Sequence, residues 1–187
     1  MNIVKKQGLG VWLSLAAAVL ALVSLIIYGV MLGAGDGVKP EAQADPILDA
    51  STFGGVTALG VLGLIFTVLS VVGAQIDFEK LLGVVGKVCN VVVDAFRIVA
   101  PALFMLMIIT IVTSTYNGLA WSLFSNEELK IEPEAVTASY LIILTAIMFF
   151  LTSIVGMVAA FFGLKKKEKK EAVVEAEAEV KTEAEAE

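Results

Sequence analysis

Four stretches of the sequence, residues 7–35, 50–76, 98–126 and 135–164, contain no Asp, Glu, Lys or Arg. Each is longer than the roughly 20 apolar residues that carry a helix across the hydrocarbon core of a bilayer. Hydrocarbon offers backbone amides no partner, so such a run must satisfy its own hydrogen bonds, and an α-helix does this within one segment. The expected fold is an all-α membrane protein with four transmembrane helices, arranged as two hairpins, with spans at about 9–33, 53–76, 98–123 and 136–163. Composition agrees: 58% of the 187 residues are hydrophobic, against roughly 45–50% in a soluble domain.

The charges sort by side. Lys5 and Lys6 precede the first block, Lys80, Lys87 and Arg97 lie between the second and third, and Lys165, Lys166, Lys167, Lys169 and Lys170 follow the fourth. The other two connections are acidic, with Lys39 and Lys130 among Asp36, Glu41, Asp45, Asp49, Glu127, Glu128, Glu132 and Glu134. By the positive-inside rule both termini and the middle connection are expected in the cytoplasm. The first block has the basic start of a secretory signal, but its apolar run of about 25 residues exceeds a signal core and reads as an uncleaved span. Short loops and a single cysteine, Cys89 on the cytoplasmic side, suit the inner membrane of a bacterium.

Between the hairpins, residues 77–97 are neither fully apolar nor fully polar. On a helix, Glu79, Lys80, Gly83, Gly86, Lys87, Asn90, Asp94 and Arg97 share a sector of roughly 120°, and valines and leucines fill the rest. That pattern favours an amphipathic helix on the cytoplasmic membrane surface, with Pro101 as the bend into the third span; the alternatives are a cytoplasmic extension of the third helix packed on other helices and a polar segment inserted in the membrane. Lys80, Lys87, Arg97 and the five lysines at 165–170 are the expected contacts with anionic headgroups. The rest of the tail, to residue 187, is a run of Glu, Ala and Val with little apolar area to bury, and is expected to be disordered.

Candidate sites are few. Thr110, Thr113 and Asn117 lie on one face of the third span, and together with Asn90 and Asp94 they make a candidate polar path for a small transporter or oligomeric channel. Gly29 with Gly33, and Gly156 with Ala160, are small pairs four residues apart that permit close helix packing. The glycines of the second span, including Gly60, Gly63 and Gly73, point to a helix that faces its neighbours on at least one side. The acids of the first outer connection lack the alternating spacing of a calcium loop.

Histidine is absent from the sequence, which removes the commonest general base and metal ligand. There is no paired-cysteine motif, no glycine loop opening onto a lysine, and no ionisable group inside the four spans. The expectation is a non-enzymatic protein without a cofactor: a structural, scaffolding or accessory subunit acting through helix packing and membrane-surface contacts. Its expected partners are the bilayer and, at most, a second copy or another membrane protein, with no nucleic acid.

Overall fold

A computed structural model describes residues 8–39, 45–73, 75–76, 78, 82–124 and 133–162. The described elements are α1 (Leu9–Gly35), a 3-10 turn (Ala50–Phe53) running into α2 (Gly54–Gly73), α3 (Val84–Phe124) and α4 (Pro133–Phe161). All four helices are long and apolar enough to span a membrane, and no strand occurs among the described residues. The tail lysines at 165–170 and the acidic run after them lie outside the described residues, as do Lys80 and the 125–132 connection.

Contacts follow a ring, α1 to α2 to α3 to α4 and back to α1. Neighbours run antiparallel. Tyr28 of α1 meets Phe53 and Thr57 at the start of α2, while Ser24 meets Thr152 of α4. Gly63 of α2 lies against Phe104 of α3, and Gly73 against Val93. Ser122, near the end of α3, bonds Ser139, near the start of α4.

Residue size explains why the ring closes. From Ser14 onward the buried positions of α1 are Ser14, Ala17, Ala21, Ser24, Tyr28, Met31 and Gly35, alternating steps of three and four. In α4 the series Ala135, Ala138, Ile142, Thr145, Phe149 and Thr152 does the same. A 3.5-residue repeat keeps one seam turned toward a neighbouring helix. Small side chains on the seam let backbones approach, which matters in a bilayer because lipid tails remove the hydrophobic incentive for helices to associate. Large aliphatic residues such as Leu22, Ile26, Ile65, Leu69, Ile109 and Ile147 point outward. Between the seams, Tyr28, Phe104, Met107, Ile111 and Phe149 are almost wholly buried, with Phe104 and Phe149 stacked at 5.7 Å and Tyr28 edge-on to Phe149 at 6.4 Å.

The third span follows the alternative of an extended helix and not the favoured one of a separate surface helix. Residues 84–97 do not form a helix set apart from it but are the first turns of α3, which continues through Pro101 to Phe124. At 1.5 Å per residue α3 is about 60 Å long. Pro101 removes the N–H that would bond the carbonyl of Arg97, but α4 supports the helix there: Ser153 Oγ donates to the Pro101 carbonyl at 2.9 Å, and Gly156 leaves room for the proline ring. The break falls earlier, at Gly83, whose φ of +55° is a left-handed conformation that a side chain would resist.

The described parts of the connection between α1 and α2 are held by hydrogen bonds. After α1, Gly37 turns the chain at φ +72°, and Ile47 N–H bonds the Val38 carbonyl. Asp36 Oδ1 accepts from Ala50 N–H at 2.9 Å. Asp49 caps the 3-10 turn, and the bonds it accepts from the Ser51 hydroxyl and N–H hold its carboxyl below the usual range. Ile47 and Leu48 are thereby inserted into the end of the bundle, 2% and 1% exposed.

Candidate functional site

A polar construction that joins α3 to α4 near one bundle end surrounds Arg97. The last carbonyls of any α-helix have no partner within it and form the negative end of its dipole. At the end of α4, Arg97 reaches across from α3 and Nη2 donates to the carbonyls of Ala159 and Phe162, both at 2.6 Å. The Arg97 side chain is 9% exposed, and its Nε is buried without a hydrogen-bond partner. Asp94, one turn earlier, lies 3.7 Å from Nη1 but is 72% exposed, so the ion pair is screened and contributes little. Phe66 and Phe96 stack at 4.6 Å and 15°, fixing α2 against α3 at the same level.

The node is placed by the packing repeat of α3. Ala100, Phe104, Met107 and Ile111 face the core, and Arg97 falls one step before them on the same side. A guanidinium has a planar fork suited to carbonyl oxygens and stays charged. The arrangement ties the interior of α3 to the end of α4.

The candidate polar path does not come together. At about 100° per residue, Asn90 and Asp94 lie on one side of α3 and Thr110, Thr113 and Asn117 on roughly the opposite side. Thr113 and Asn117 are exposed on the outer face of the bundle and Thr110 is half-buried. Thr110 and Thr113 hydroxyls bond carbonyls of their own helix, at Leu106 and Ile109. Of the expected headgroup contacts, Lys87 is exposed, Arg97 is turned into the bundle, and Lys80, Lys165, Lys166, Lys167, Lys169 and Lys170 lie outside the described residues. Asn90 is half-buried.

Gly29 and Gly33 face outward, with nothing within 4 Å of where a side chain would begin. Gly156 does pack closely: a Cβ there would lie 3.3 Å from Pro101 Cβ, while Ala160 is half-buried. The tightest approaches are elsewhere. A Cβ on Gly73 would come 2.6 Å from Val93 Cγ2, on Gly63 2.7 Å from the Phe104 ring, on Gly60 2.8 Å from Met107 Sδ, and on Gly118 2.8 Å from the backbone of Ile47.

Sequence reasoning missed the hydroxyl pairs between helices, Ser24 with Thr152, Tyr28 with Thr57 and Ser122 with Ser139. Their signal was present as small and hydroxylated residues spaced three and four apart. Among the described residues no three of His, Cys, Asp and Glu are grouped to hold a metal. An open concavity at the end of the bundle near the α1 C-terminus is lined by Ala34, Pro133, Glu134 and Thr137. Comparison with family models, curated proteins and solved structures finds no match for the chain.

Proposed function

We propose that this protein is a non-enzymatic scaffold or accessory subunit of a cell membrane, acting through the packing of its helices. The observation that carries the reading is the distribution of residue sizes. Interlocking small and aromatic residues fill the middle of the ring, and large aliphatic residues cover its outside. A filled axis gives no hydrated route for a solute, whereas an aliphatic exterior suits lipid and other helices.

The basic end of the bundle, with Lys87, the start of α1 and the end of α4, faces the cytoplasm, and the end sealed by Ile47 and Leu48 faces outward. Support comes from charge: lysine near an anionic leaflet contributes about 1 kcal/mol each, and the acidic connections are on the other side. In this arrangement residues 84–93 carry α3 out of the membrane on the cytoplasmic side.

The test is flux through the purified, full-length protein in liposomes under ion and proton gradients. Liposomes as tight as protein-free ones are expected. Sustained flux lost on Asp94→Asn or Arg97→Gln would replace this reading with that of a transporter or channel.

A further inference from the structure

Most outward apolar surface of the four helices is what a membrane helix shows to lipid, but the first turns of α3 are different. Asp94 is 72% exposed, and an ionised carboxylate is costly in hydrocarbon, so the hydrocarbon ends near its level. The last turn of α4 lies there too, bonded to Arg97, and α2 has ended, with Gly73 against Val93. Beyond that level α3 continues over residues 84–93, about 15 Å of helix. A headgroup layer is only about 5–8 Å deep. Yet Val84 is 80% exposed, Val88 61% and Val91 67%.

These valines are regularly placed. Val84, Val88, Val91, Ala95 and Ile98 advance by four, three, four and three residues, the spacing of a coiled-coil seam. Further steps continue to Tyr116 without a charged residue, on the side of α3 away from the bundle core. Lys87 and Asp94 flank the seam and do not interrupt it.

We propose that this face docks on the same face of a second copy, α3 parallel to α3 about a two-fold axis along the membrane normal. The inference rests on the reading of the protein as a membrane-spanning bundle. A partner must be apolar through the bilayer and must leave it on the same side by the same number of turns. The α3 helix itself meets both conditions, and a two-fold axis along the normal brings equal depths together. The seam from 84 to 116 is about 50 Å long and a helix contact about 10 Å wide, giving about 500 Å² per copy and about 1,000 Å² in all. That reaches the size at which specific interfaces begin.

The experiment is disulfide trapping in liposomes at low protein density, using the full-length chain with copper phenanthroline as oxidant. Val84→Cys, Val88→Cys and Val91→Cys are each made with Cys89→Ser, and the unaltered protein supplies a control, since Cys89 points roughly 130° away from the seam. Dimers of twice the monomer mass are expected from the three seam positions at least tenfold faster than from Cys89. Equal rates at all four positions, no dimer from any, or linkage to a protein of another mass would overturn the proposal. Valine to cysteine is a mild change, and a helical circular-dichroism spectrum matching that of the unaltered protein shows that each variant is folded. The same liposomes report flux: tight vesicles without seam dimers remove the dimer and leave the scaffold reading standing, while leaky ones remove the scaffold reading whatever the trapping shows.

Discussion

Arg97 shows how one residue can serve two purposes that oppose each other in a membrane. Its charge is costly away from water, yet its Nη2 meets the carbonyl of Ala159, which also accepts from Phe162 N–H, and the carbonyl of Phe162 just past the end of α4. Hydrogen bonds from a charged donor contribute about 1.5–3 kcal/mol net. Arg97→Met keeps much of the stem and removes the donors, so a loss of about 2 kcal/mol is expected, read from the denaturation midpoint in detergent. The last turn of α4 should fray as well: a cysteine replacing Phe162 should react faster with a maleimide in the Arg97→Met background than with arginine present. Glycines make the complementary point. Gly63→Ala forces a methyl group into the Phe104 ring, 2.7 Å away, and overpacking of this kind costs about 1–3 kcal/mol. Gly29→Ala meets nothing within 4 Å and should leave the midpoint of the monomer unchanged within about 0.5 kcal/mol. A Gly29 effect as large as that of Gly63 would mean that the α1 face is covered.

At the scale of elements, the existence of four long helices was legible because charge-free runs of that length have few other folds open to them. Helix ends were less legible. Residues 84–97 read as a separate surface helix because their charges share a sector, but α3 absorbs them: Arg97 finds its partners on α4, and Ser153 and Gly156 support the helix at Pro101. Those supports come from a different helix, far along the chain, so no local pattern announces them. The inward faces had a readable sign in the spacing of Ser14, Ala17, Ala21, Ser24 and Tyr28, which hydropathy alone hides because alanine and leucine both count as apolar. The Ser24 and Thr152 hydroxyls, 3.1 Å apart, join α1 to α4. Each has a carbonyl of its own helix within reach, and since each hydroxyl carries one proton, one of the two donates across while the other keeps its own-helix carbonyl; deleting either leaves the other a carbonyl to bond. A double-mutant cycle with Ser24→Ala and Thr152→Ala should therefore give a coupling of only about 0.6 kcal/mol, the usual scale for hydrogen bonds between membrane helices. Coupling above about 2 kcal/mol would point to a seam held by polar contacts more than by close packing.

For the whole molecule, the two ends of the ring are closed in different ways, one by a charge bonded to helix carbonyls and the other by a loop driven into the bundle. The candidate path failed to assemble because its two halves lie on opposite sides of α3, and the positions that do converge are filled by Phe104, Met107 and Phe149. The loop seal depends on Gly118, since its missing side chain is what lets the backbone of Ile47 approach α3. A flexible neighbour could turn aside from an added methyl, but a Cβ on Gly118 would lie 2.8 Å from Ile47 Cα, and the main chain can move only if the loop lifts. The loop is held at its other end by Asp36 Oδ1 on Ala50 N–H and by Asp49 capping the 3-10 turn, so lifting should be local. Gly118→Ala is therefore expected to leave the helices intact by circular dichroism while opening the end sealed by Ile47. With Cys89 replaced by serine, a cysteine at position 47 should be protected from a water-soluble maleimide when Gly118 is present and labelled at least several-fold faster when alanine replaces it. Equal labelling in the two backgrounds would show that Ile47 is not seated in the bundle.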